Sequence, residues 1–122
     1  MHRLAAVLVL LVAGCATPLE DVRKEPVRIT MTVPAAWDRT GTCLAAAYND
    51  YETVYLPVAS EQRAEIIVNQ VTTGLLGSVK RTMFLFEVQG GSVTTVTWRR
   101  DQHLHISFET QARERIERCG KV

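Results

Sequence analysis

The sequence has no apolar run long enough to cross a bilayer, no surplus of either charge, and only three cysteines and three histidines among 122 residues. Each scarcity closes off a class of function. The apolar stretch over residues 4–12 is well short of the roughly 20 residues that a membrane-spanning helix needs. Lys plus Arg number 14 and Asp plus Glu 13, so no basic excess marks a binder of nucleic acid or of an anionic surface. There is no Gly-x-Ser-x-Gly elbow, no His-Glu-x-x-His pair and no phosphate loop; Gly74-Leu75-Leu76-Gly77-Ser78 has such a loop's glycines without its lysine. The chain is therefore expected to be non-catalytic, with no cofactor. Neither Cys43 nor Cys119 has a second Cys or a His at ligand spacing, which leaves a zinc cage without support.

What is present begins at the N-terminus. Met1-His2-Arg3 is a positive start, residues 4–12 are a short apolar core, and Ala13-Gly14 are small residues before Cys15, the pattern of an export signal. Val12-Ala13-Gly14-Cys15 resembles the lipobox of bacterial lipoproteins. The resemblance implies removal of residues 1–14, lipid on the Cys15 thiol, and attachment that several acyl chains make effectively permanent. In Gram-negative lipoproteins an Asp after the Cys favours retention in the inner membrane. Ala16 stands there instead, so the resemblance implies the outer membrane, most simply on its periplasmic face. Residues 15–26 then read as a tether. Pro18 and Pro26 bracket the charged run from Glu20 to Glu25, and residues 16–26 fully extended would span some 30–40 Å.

Without residues 1–14 about 108 residues remain, enough for one domain over residues 27–122. Arg3 leaves with the signal, which brings the basic residues into balance with the 13 acidic ones. In an oxidising compartment Cys43 and Cys119 are most simply read as one disulfide, which would stabilise the fold by roughly 4 kcal/mol. Val27, Ile29, Met31 and Val33 alternate with polar residues as a half-buried strand does, and Pro34 ends it. A helix is expected next, with Ala36, Thr40, Cys43 and Ala47 on one stripe and Asn49 as its stop. Strands follow over residues 53–56, 64–71, 82–88 and 93–99, with Gln89-Gly90-Gly91-Ser92 as a hairpin turn. Residues 109–119 read as a charged helix with Ala112, Ile116 and Cys119 inward. Leu104, Ile106 and Phe108 alternate as in a strand, while Leu104, Phe108 and Ala112 step as in a helix, and an early helix start is favoured. The fold class is α+β: a single antiparallel sheet of four to five strands, two helices on one face, and Cys43 meeting Cys119 between them.

Ile29-Thr30-Met31-Thr32-Val33-Pro34 leading into Ala36-Trp37, then Leu44-Ala45-Ala46 and the later hairpin pair, resembles helix-grip domains. In particular it is similar to the small α/β domains of outer-membrane lipoproteins, among them accessory lipoproteins of the machinery that inserts β-barrels. The resemblance covers about three quarters of the chain. It implies a fold and an envelope protein as partner, but no functional residue carries over.

Four groups are candidate sites. Leu75 and Leu76, between glycines at a tip that ordinarily takes polar residues, are either held out to contact a partner protein or lipid or folded back over the core. His103 and His105 would project from one face of a strand about 7 Å apart and could share a metal with Asp101 or Glu109; the alternative is two solvated histidines beside a turn. Tyr48, Tyr51 and Tyr55, with acidic neighbours, form either a sugar-stacking surface, as for peptidoglycan, or a helix end with packed rings. Arg99-Arg100 reads as a solvated turn. The expected work is binding as an envelope accessory module, with a small-ligand or glycan site between helices and sheet as the alternative and metal chemistry at the histidines as a third.

Overall fold

The computed structural model describes residues 18–122. A short helix α1 (Leu19–Lys24) is followed by β1 (Ile29–Val33), α2 (Trp37–Ala47), β2 (Glu52–Val58), β3 (Arg63–Gly74), β4 (Gly77–Gln89), β5 (Thr94–Arg100) and α3 (Ser107–Cys119). The strands form one antiparallel sheet in the order β1-β5-β4-β3-β2. This is the α+β architecture expected from the alternating strands and the two periodic helices.

Each helix on the main face owes its place to its apolar spacing. Thr40, Leu44 and Tyr48 recur every four residues along α2 and its cap and are all buried, as are Ala112 and Ile116 on α3. They cover a sheet face made by Ile29 and Val33 of β1, Ile66 and Val68 of β3, Phe84, Phe86 and Val88 of β4, and Val96 and Trp98 of β5. Aromatic rings fill the centre. Tyr48 meets Phe84 edge-on with centroids 5.0 Å apart, and Phe84 lies 5.6 Å from Trp98 and 5.8 Å from Phe86. Arg115 of α3 stacks 4.1 Å from the Tyr48 ring centre and donates from Nη1 to the Ala47 carbonyl at 2.6 Å, tying α3 to the end of α2.

Cys43 and Cys119 stand at disulfide-bonding distance with Cα atoms 5.5 Å apart, joining the two helices. Cys119 is buried, whereas Cys43 is exposed and not on the inward stripe of its helix; Leu44 points inward instead. The bridge therefore closes the rim of the helix pair. Gly120 follows because its position admits no side chain: a Cβ there would collide with Val33 of β1.

One expectation gives way at the N-terminal end. The tether is not extended throughout, because residues 19–24 inside it form α1, which packs against the second face of the sheet. Val22 is fully buried with Ile67 and Leu85, flanked by Leu19 and Val54. With Leu19 and Val22 three apart, even this short charged segment has an apolar side. The last helix does start early, two residues before Glu109 and including Phe108, though not as far back as Leu104. Residues 101–106 form turns, and α3 begins at Ser107, whose backbone N–H donates to the His105 ring nitrogen Nδ1 at 3.1 Å. The strand alternative for the same segment fails, although half-buried Leu104 and Phe108 still pack onto the core.

Candidate functional site

β3 and β4 continue past the rest of the sheet. The β2 ladder on β3 ends at Glu52↔Asn69 and the β5 ladder on β4 ends at Phe84↔Arg100, yet β3 and β4 stay paired out to Gly74↔Gly77. The result is a two-stranded ribbon standing free of the core, closed by a two-residue turn of Leu75 and Leu76. Gly77 makes the turn possible with φ +112°, a conformation that side-chain-bearing residues rarely adopt. Both leucines are fully exposed, at 106% and 104%. They do not fold back over the core, and Val71 and Val79 on the shaft are exposed as well.

The ribbon is anchored at its base. A register shift between Val68 and Asn69 leaves Met83 without a partner across the ladder, the bulge geometry that bends and twists a strand pair. Asp101 donates its backbone N–H to the Met83 carbonyl at 2.9 Å, bracing the bulge from the turn that follows β5. Beside it Thr82 Oγ1 donates to Asn69 Oδ1 at 2.8 Å, with both residues buried. The Arg81 guanidinium pairs with the Asp101 carboxylate, Nε to Oδ2 at 3.1 Å, and Lys80 pairs with Glu52 at 2.7 Å. Burial alone would push the Asp101 carboxyl up. The Arg81 hydrogen bond, the His103 backbone N–H and the positive charges nearby outweigh it and hold Asp101 below the usual carboxylate range. The apolar tip is thus carried on a shaft fixed by one buried hydrogen bond, two ion pairs and a braced bulge.

The other sequence candidates fall elsewhere. His103 and His105 are exposed in the turn after Asp101, and His105 Nδ1 is engaged with Ser107 Oγ at 2.8 Å. Among the described residues, no three of His, Cys, Asp and Glu gather as a metal site would need. Tyr48 is part of the core and Tyr55 packs against Gly41 of α2, so the tyrosines do not present one stacking face. The space between helices and sheet, where a ligand groove was expected as the alternative, is occupied by Tyr48, Phe84, Phe86 and Trp98. Arg99 is no solvated turn: its Nη1 donates to the carbonyls of Arg23 at 3.4 Å and Glu25 at 2.9 Å and holds the C-terminal end of α1.

One relation was not legible in the sequence. The N-terminal end of α1 lies at the ribbon base, where Pro18 and Leu19 border a shallow cleft with Val54, Ile67, Asn69, Lys80 and Thr82. Among the described residues no helix is long and apolar enough to cross a membrane. Cys15 and the signal lie outside the described residues. Comparison with family models, curated proteins and solved structures finds no match to the chain.

Proposed function

We propose that the protein is a lipid-anchored, non-catalytic binding module of the bacterial cell envelope. It is held on the periplasmic face of the outer membrane through Cys15 and makes its contact through Leu75 and Leu76. The observation that carries the reading is the complete exposure of two adjacent leucines at the end of a ribbon whose base is held by Asn69, Arg81 and Lys80. An exposed apolar patch at the end of a fixed projection is a feature of interaction sites, because its hydration lowers solubility and does nothing for the core. The lipobox-like residues Val12 to Cys15 support the address, and the resemblance to accessory lipoprotein domains supports an assembly role rather than catalysis.

The test is Leu75→Asp/Leu76→Asp in the natively lipidated protein. The variant should melt with the wild type, since neither side chain touches the core, yet lose its crosslinks to envelope material. Equal loss of stability, or unchanged crosslinking, would contradict the reading.

A further inference from the structure

The position of the anchor points to a neighbour for the ribbon tip, and the inference rests on the lipid-anchor reading of Cys15. α1 runs from Pro18, beside Asn69 and Lys80, to Arg23, which pairs with Glu65 farther back along β3. Its N-terminal end thus faces the end of the sheet from which the ribbon projects. Only residues 16 and 17 separate Pro18 from Cys15, so a lipid on Cys15 is tied within about 11 Å of Pro18, which borders the ribbon base, even if the peptide is fully extended. From Asn69 to Leu75 the ribbon rises about 20 Å, at roughly 3.3 Å per residue. The ribbon is longer than the tether. Standing upright, it would carry its tip about 9 Å past the plane of the anchor even with the tether fully extended, which reaches the roughly 5–10 Å depth of side chains that lodge at the headgroup boundary.

The chemistry along the ribbon follows the same order. Residues 70–79 carry no charge, the tip is Leu75-Leu76, Val71 and Val79 lie exposed along the shaft, and the first cations, Lys80 and Arg81, come where the ribbon meets the core. An apolar end on an uncharged shaft, with the first charges held back at the core in the Lys80–Glu52 and Arg81–Asp101 ion pairs, suits an end that enters the acyl boundary. The outer edges of the ribbon have no strand neighbour beyond Asn69 and Phe84, so their backbone groups must stay hydrated and only the tip can pass below the headgroups. The geometry points to Leu75 and Leu76 inserting into the same leaflet that holds the Cys15 lipid, making the ribbon a second foot that sets the domain's orientation on its membrane.

The experiment uses the full lipidated protein in vesicles of phosphatidylcholine brominated on its acyl chains. Leu75→Trp is the reporter, and Ser60→Trp, exposed before the start of β3, is the control. Trp37 and Trp98 are a background common to both. After subtraction of the wild-type emission, the signal added by L75W should be shifted to the blue and quenched to about half, as for an indole lodged at the acyl boundary, while that added by S60W is unchanged. L75W emission as water-like and unquenched as that of S60W overturns the inference. So does L75W emission that shifts to the blue in native envelopes but escapes quenching in brominated vesicles, which assigns the tip to a protein. The intact mass of the same sample separates the two layers of argument, because a Cys15 without acyl mass overturns the anchor reading itself.

Discussion

Substituting Val22 by Asp should release α1 from the sheet without melting the domain. A helix of six residues has no stability of its own, so α1 persists only through what it touches. Its contacts are few. Val22 is fully buried against Ile67 and Leu85, a burial that contributes about 1.5–3 kcal/mol. The part-exposed Arg23–Glu65 pair adds no more than about 1 kcal/mol after solvent screening. Two hydrogen bonds from Arg99 to carbonyls at the end of the helix add about 0.5–1.5 kcal/mol each. Removing the apolar contact shifts the docking equilibrium roughly 10- to 150-fold, and the unpaired carboxylate in its place shifts it further. The assay is limited trypsin cleavage after Arg23 and Lys24, followed beside the thermal melt. V22D should be cut there at least tenfold faster than wild type while its main transition stays close, because the core under α2 and α3 shares no residue with the α1 contact. Unchanged cleavage would refute the claim that this contact holds the N-terminal segment. A collapse of the main transition would refute the claim that the two faces of the sheet are separable.

Other outcomes follow from the same contacts. Cys43→Ser/Cys119→Ser opens a bridge with sequence separation 76, worth about 4 kcal/mol in the chain-entropy model. The melting temperature should fall by roughly 15–30 °C in calorimetry, and a loss of only a few degrees would contradict it. Asp101 is depressed in the folded state, so its contribution is complete above the unfolded value near roughly pH 4 and is lost as pH falls through the folded one. Denaturation midpoints taken at successively lower pH should therefore drop more steeply for wild type than for Asp101→Asn, and parallel curves would exclude the effect. At the alkaline end, burial pushes the Tyr48 phenol up to about 12, against the charge of Arg115. Because this value is raised, its contribution holds below the unfolded value near roughly pH 10 and is lost as pH rises toward the folded one. Tyrosinate absorbance should show ionisation running on past the ordinary range, because burial raises Tyr55 as well as Tyr48, and three rings titrating together near roughly pH 10 would rule this out.

Much of this architecture is written in alternation and spacing. Ile29, Met31 and Val33 show β1, Phe84, Phe86 and Val88 show β4, and the paired glycines at 90 and 91 mark the turn into β5, because the sheet face under α2 and α3 imposes a period of two. The segments that escaped lack such a period. α1 is too short for a helical repeat and is decided by one contact, Val22, with a face of the sheet whose apolarity is visible only once Ile67 and Leu85 are assembled. The free ends of β3 and β4 are solvated on both faces, so residues 72–80 carry no burial pattern and read as a connection between strands. Their pairing comes from the two-residue turn at Leu75-Leu76. At Leu104 the step of four and the alternation overlap; α3 takes in Phe108 from Ser107 onward, while Leu104 reaches the core from a turn, where His105 and Ser107 bond to each other. The leucines at the tip could be picked out as unusual for a turn, but their direction depended on a ribbon that only the ladder to Gly74↔Gly77 reveals.

The central claim is that this lipid-anchored domain meets the envelope through the tip of its β3–β4 ribbon. Its most direct measurement is photo-crosslinking in intact cells, with a benzophenone side chain placed at Leu76 of the natively lipidated protein and, as a control, at Ser60. The account predicts adducts from position 76, abolished when Leu75 is also Asp, and none above background from position 60. Equal labelling from the two positions, or a silent position 76, would contradict it.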